Sequence, residues 1–469
     1  KSQSVLRTED NRFLTGAGTY IDDSTPPASL FAYFFRSQVA HAKIANLNVD
    51  DAKKATGVYG VFTAEDIEKN GVKNDLVGVT VKNRDGTDGA CPKRPLLAEK
   101  RVRFVGEPIV LVVADSIPNA KDAAELIEID YNDLPVSLDL AVSDNTIHPE
   151  APGNVAFEWD LGDKNKTDVV FKNADRVVSM EVYNNRIIAN SIEPRGCYAQ
   201  WENNRLHLSV SGQGVRTHKR FLSEILGLKG DQIRVTTPDV GGGFGMKAMC
   251  YPEEFIVSFA AIQLKQPVRW MSERTEAMLG DNAGRDLKHS AQLAFDANNK
   301  IIGYRVNTFC NLGAYNSRFG QNIQTGLFSK VLMGVYDVQN TYLNVLGIYT
   351  NTTQIDAYRG AGRPEAIYLL ERMLDRAARK LKIDPLELRR INFIKKNNFP
   401  YKTSTGELID VGDFDRVLSA AEKSADIEGF QRRKKESKAN GRLRGLGLCY
   451  YIESILGDPS EEAKVVFEE

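Results

Sequence analysis

Apolar and polar positions alternate along the first third of the chain in short runs. Residues 30–36 (LFAYFFR), 43–47 and 58–63 read as strands, with a short helix beginning at 50–56. Residues 101–113 (RVRFVGEPIVLVV) predict two strands about Gly106, 120–126 a helix opened by Pro118 and Asn119, and 127–131 a further strand. A turn-rich connector with Pro135, Pro149 and Pro152 follows. Beyond it 169–183 and 206–210 read as strands, 216–228 as an amphipathic helix, 249–264 as a second helix and 267–276 as a strand. Residues 284–286 read as a turn, and 292–309 as paired strands turning at 297–300. The clearest period is at 365–381, where Ile367, Leu370, Met373, Leu374 and Ala377 fall on one helical face. Helices at 386–392 and 413–425, an exposed basic helix and loop at 431–444, and strands at 445–452 and 465–469 complete the pattern.

These elements predict an α+β protein: a module over 1–135, a linker over 136–154, a larger domain over 155–405, and the beginning of another over 406–469. The strand-like run at 465–469 reads as a cut or a subunit boundary. With 61 basic and 62 acidic residues in 469, no field favours nucleic acid or an anionic membrane. No apolar run has the length of a membrane span, and the polar opening from Lys1 is read as carrying no signal peptide. Five dispersed cysteines without a CxxC pair suit a reducing compartment, hence the cytoplasm. The histidines never fall at HxH or HExxH spacing, so a metal held by protein side chains is not expected.

Candidate chemistry sits in three loops. The stretch 235–247 (VTTPDVGGGFGMK) leads from a strand through Gly241, Gly242 and Gly243 to Phe244 and Gly245, and glycines there let a ligand approach the backbone. A glycine loop opening a helix suits an anion, but this one fits neither the Walker A nor the GxGxxG frame. It equally describes a turn that packs a strand on a helix. The second loop, SGQG at 211–214, repeats the strand–loop–helix order and presents Gln213, which can donate and accept. The third, AYRGAGRPE at 357–365, couples Arg359 to Gly360 and Gly362 and places Pro364 at a helix start. Arg359 there can hold an anion or planar acceptor, or simply pair with a nearby carboxylate. The corner Glu193-Pro194-Arg195-Gly196 reads as a turn with an internal ion pair.

Taken together and in order, the three loops resemble those of the molybdopterin-binding large subunit of the xanthine dehydrogenase / aldehyde oxidase / carbon monoxide dehydrogenase family. RTEDNRFLTGAGTYIDD, FRSQVAHAKI and RFVGEPIVLVVAD are similar to that family's α/β-hammerhead domain, and ERMLDRAARKLKIDPLELRRINFI to the close of its first molybdopterin-binding domain. The resemblance implies a molybdenum–molybdopterin cofactor, free or as the cytosine dinucleotide, with no direct protein ligand to the metal. Gln213, Phe244 and Arg359 are then expected near the molybdenum, and Gly242, Gly243, Gly245 and Gly360 against the cofactor. Ala248 and Ala361 stand at substrate-pocket positions. Alanine replaces the glutamate and phenylalanine of purine hydroxylases there, and Gly360 replaces the copper-holding cysteine of the carbon monoxide-oxidising members.

The implied reaction is hydroxylation of an aldehyde or (hetero)aromatic carbon with oxygen from water. Electrons would pass to [2Fe–2S] clusters and FAD on partner subunits. The general-base glutamate of the family belongs to its C-terminal quarter, so no catalytic acid or base is expected in this chain. Two other readings are a non-catalytic half of a split subunit that binds cofactor with a partner, and a nucleotide-binding enzyme without molybdenum.

Overall fold

The computed structural model describes residues 4–454 and 462–467. A seven-stranded sheet runs in the order Ile233–Thr236, Arg205–Val210, Gly196–Glu202, Val268–Met271, Leu30–Arg36, Pro108–Ala114, Val58–Phe62. Strands from the first 135 residues and from beyond residue 195 therefore share one hydrogen-bonded layer. They join where Leu30 and Phe31 pair in parallel with Val268 and Arg269. Pro108–Ala114 is buried along its whole length, which its unbroken apolar sequence demands. Helix Pro252–Leu264 packs on this sheet and is buried nearly all round.

A five-stranded sheet follows in the order Val155–Gly162, Thr341–Tyr349, Ile301–Gly313, Leu287–Phe295, Arg176–Asn184. Helix Arg363–Leu381 covers it, burying the five residues of the predicted face. A three-stranded sheet (Arg101–Val102, Ala42–Asn48, Glu128–Asp133) and helix Ile117–Glu125 enclose a smaller core. The connector is tied down: Asn154 is buried, accepts from Ile147 N–H at 2.8 Å, and donates to Asn145 O at 2.9 Å. Among the described residues no helix is long and apolar enough to cross a membrane.

Several expectations change. Residues 169–173 belong to helix Lys164–Asn173, not to a strand. Asp163 caps its start by accepting from Lys166 N–H at 2.9 Å, and Arg305 lies over the Phe171 ring at 4.4 Å. Cap and packing outweigh the strand preference of Val169 and Val170. The strand expected over 267–276 is only Val268–Met271, and helix Arg274–Gly280 follows. Residues 445–452 form no regular element and have no strand partner among the described residues. Their alternation is nonetheless real, because Leu448, Tyr450 and Ile452 pack on the core under helix Arg363–Leu381. Tyr450 N–H donates to Glu371 Oε2 at 2.9 Å. Residues 465–467 are exposed and in no strand, while 468 and 469 lie outside the described residues.

Candidate cofactor-binding site

Strands Arg205–Val210 and Ile233–Thr236 are parallel neighbours, Leu206 opposite Ile233. Their carboxyl ends emerge at the same edge, so the loops that follow them are adjacent, an arrangement that makes crevices in mixed and parallel sheets. Gln213 N–H donates to Lys247 O at 3.0 Å, and Gly245 N–H donates to Gln213 Oε1 at 2.8 Å. The third loop arrives from the five-stranded sheet, and Arg359 N–H donates to Phe244 O at 2.9 Å. Gln213, Phe244 and Arg359 thus come together through one continuous set of hydrogen bonds.

Those bonds fix orientation. Because Gly245 supplies a donor, the amide oxygen of Gln213 faces the loop and its Nε2 is left without a protein partner among the described residues. A Cβ on Gly243 would lie 2.4 Å from Gln213 Oε1, so the amide can rest there only over glycine. Phe244 takes a positive φ of 53° and its side chain is 40% exposed, on a turn that presents the ring outward. Arg359 is exposed, and its guanidinium forms no ion pair among the described residues. Ala248 lies with Ala189, Ala357 and Phe319 against a small apolar cluster of Met246, Met249 and Tyr251. Ala361 is half-buried and its N–H donates to Tyr358 O at 2.8 Å.

The glycine loop does not open directly into a helix, as its sequence suggested. A 3-10 turn over Met246–Ala248 intervenes, and the helix begins at Pro252 behind the buried Tyr251. Anion binding by a helix N-terminus is therefore not what this loop offers. The offer is open backbone, one amide, one ring and one guanidinium. A cleft of about 1070 Å³ elsewhere on the chain is lined by other residues, among them Lys73, Arg101, Arg103 and Phe221.

Buried charges beneath the loops had no signal in spacing. Glu193 Oε2 accepts from Gly241 N–H (2.8 Å), Ser211 Oγ (2.6 Å) and the buried Lys247 Nζ (2.8 Å), clamping two loops at once. Burial alone would raise the Glu193 carboxyl; its donors reverse this and hold it below the ordinary value. Arg195 does not pair with Glu193, the internal ion pair expected of the corner. Its Nε donates to Asp281 Oδ1 at 2.6 Å and its Nη1 to Glu253 Oε2 at 3.1 Å, and Tyr251 lies 3.7 Å below it. Burial opposes its charge, but Glu253 and Asp281 prevail and raise its pKa. Arg285 fixes the third loop by donating to Tyr358 O (3.0 Å), Arg359 O (2.8 Å) and Glu365 Oε1 (2.8 Å).

Sequence comparison decides what family builds this crevice. The molybdopterin cofactor-binding domain matches residues 147–393, and the a/b hammerhead domain of aldehyde oxidase and xanthine dehydrogenase matches residues 15–135. The chain belongs to this molybdopterin-binding family. The nicotine 6-hydroxylase large subunit of Paenarthrobacter nicotinovorans is 35% identical over 96% of this chain and 55% of its own length. The carbon monoxide dehydrogenase large chain of Hydrogenophaga pseudoflava is 32% identical over 98% of this chain and 58% of its own. Among solved structures, quinoline 2-oxidoreductase from Pseudomonas putida 86 superimposes with a TM-score of 0.87 at 31% identity, over 93% of this chain and 56% of that one. The chain thus spans little more than half the length of these relatives.

Proposed function

We propose that this chain forms one wall of the molybdenum–pterin site of a hydroxylase acting on an aromatic N-heterocycle or an aldehyde. The observation that carries this reading is the convergence of Gln213, Phe244 and Arg359 on hydrogen-bonded loops at one sheet edge. The residues fit a group that brings its own metal ligands: Gly243 makes room for the Gln213 amide, and the crevice offers a donor, a ring and a cation. When bound, the cofactor supplies oxygen transfer from water and takes up the electron pair.

The chain's own part is orientation and charge. Gln213 Nε2, aimed by the Gly245 N–H, donates to an oxygen of the bound group. Phe244 covers one side of the reacting region and keeps water from it. Arg359 steadies negative charge on a substrate heteroatom. Proton acceptance is assigned to a glutamate outside the three loops, and electron acceptance to iron–sulfur and flavin partners. The five cysteines are free, in keeping with a cytoplasmic setting.

Gly360 argues against carbon monoxide as substrate. It has a φ of +99°, and a Cβ there would lie 2.2 Å from Pro364 Cγ, so a copper-holding cysteine does not fit this backbone. Small side chains at Ala248 and Ala361 favour a flat, apolar ring, the class named in the nicotine and quinoline relatives.

The test is metal and cofactor analysis of the native complex containing this chain. Stoichiometric molybdenum with a released pterin, whose nucleotide form the same hydrolysate identifies, is the expected result. A complex with neither would overturn the reading and the roles of all three residues.

A further inference from the structure

We propose that His218, Cys250 and Glu254 form a second metal site, which binds a zinc-class divalent cation through protein side chains. No spacing rule links these residues, since His218 stands on helix Arg216–Leu226 while Cys250 and Glu254 bracket the start of helix Pro252–Leu264. The fold brings one ligand atom from each within 4.8 Å of the others, and His218 Nε2 lies 3.0 Å from Glu254 Oε2. Tetrahedral zinc with bonds of about 2.0–2.3 Å holds its ligand atoms roughly 3–4 Å apart, so the cluster closes on a cation with sub-ångström shifts.

Two further observations point to a ligand. His218 is 2% exposed, and neither ring nitrogen has a well-aligned hydrogen bond among the described residues. The imidazole's near neighbours are Glu254 and Cys250 themselves, and a cation among the three would satisfy them together. A cavity of about 50 Å³, lined by Cys250, Met249, Asn282, Arg318 and Asp356, adjoins the thiol and has room for a water as fourth ligand.

Charge balance narrows the cation. A thiolate and a carboxylate with neutral imidazole neutralise a dication, giving an assembly that can stay buried. Arg318, held by donating to Thr217 Oγ1 at 2.8 Å, lines the same small cavity as Cys250. Its positive charge also opposes a dication. The site should therefore select a metal that binds sulfur and imidazole strongly, zinc above magnesium or calcium. Bound there, the cation would pin together the two helices that follow the Gln213 and Phe244 loops.

The proposal stands apart from the pterin reading and is tested apart from it. The native complex, purified without chelators, is expected to retain stoichiometric zinc, counted separately from molybdenum. After cobalt exchange it should show thiolate-to-cobalt charge-transfer absorption in the near ultraviolet. Cys250→Ser should lose that band, and His218→Gln should release zinc to a chelator that the unaltered protein withstands. The spectrum of the unaltered protein decides the matter even if a variant fails to fold. Folded complex without zinc and without a thiolate band overturns the site, whatever its molybdenum content. A band that survives in folded Cys250→Ser overturns it equally.

Discussion

Helix Arg363–Leu381 and the loop just before it meet at Gly362, yet they are held by opposite means. The helix stays in place by burying Ile367, Leu370, Met373, Leu374 and Ala377 against the five-stranded sheet. The loop buries little. It is held by the Arg359 N–H on Phe244 O, by Arg285 on its carbonyls, and, across the crevice, by the Glu193–Lys247 clamp. Apolar contact tolerates sliding and repacking, whereas hydrogen bonds to fixed donors set position and angle. A surface that must present an amide and a guanidinium in register needs the second kind of support.

The largest effect should come from breaking the polar side at its deepest point. Arg195→Met leaves Asp281 and part of Glu253 buried without their cation, and removing one partner of such a network costs about 3–5 kcal/mol. Urea unfolding at neutral pH measures it. The same network sets an acid limit. Burial alone would raise Glu253, but Arg195 and Arg36 hold it well below its ordinary 4.5. A depressed carboxylate gives its full stabilisation above the ordinary value and loses it as pH falls through the folded one. The unaltered protein should therefore lose stability steeply below about pH 4.5, and Arg195→Met should show a shallower slope. Equal slopes would mean that Glu253 does not govern the acid limb.

Breaking the apolar side should cost nearly as much but leave the crevice alone. Leu370→Ala empties a fully buried position and should destabilise by about 2–5 kcal/mol. Molybdenum content per folded complex should stay unchanged. A loss of cofactor from this variant would show that helix packing and loop position are coupled.

The same contrast explains what could be read in advance. The five-residue face of helix Arg363–Leu381 follows a 3.6 period, and period survives without knowledge of partners. So do the alternation at Leu448, Tyr450 and Ile452 and the glycine-flanked positions of Gln213, Phe244 and Arg359. What could not be read is pairing. Lys247 lies 54 residues from Glu193, and Asp281 lies 86 from Arg195, separations that carry no local pattern. The corner at 193–196 accordingly looked like a self-contained ion pair. The helix over Lys164–Asn173 was missed for a different reason: Val169, Val170 and Phe171 have strand preferences, and a cap together with one stacked arginine overrode them.

A smaller effect on stability, but a large one on the site, is expected from Gly243→Ala. Its methyl would meet Gln213 Oε1 at 2.4 Å and push this exposed amide off Gly245, at a cost of about one hydrogen bond, roughly 0.5–1.5 kcal/mol. Molybdenum retention should fall while the folded complex persists. Full retention would show that the Gln213 orientation is dispensable.

The smallest stability change, and the one that separates presentation from packing most cleanly, is expected at Phe244. Its left-handed backbone costs a non-glycine residue about 1–2 kcal/mol. Glycine would relieve that strain but adds roughly 0.5–1 kcal/mol of chain entropy to be lost on folding. The residue is 40% exposed, so more than half of it is covered and about 1–2 kcal/mol of burial is forfeited. Relief of strain, lost entropy and lost burial nearly cancel, so Phe244→Gly should change stability by no more than about 1 kcal/mol in urea unfolding, while water gains access to the reacting region and turnover by the assembled complex falls. A residue kept in a strained conformation that its own removal does not penalise is retained for what the ring covers. If turnover and cofactor content both survive in Phe244→Gly, the ring covers nothing that matters, and the loop's work is done by its backbone and Gln213 alone.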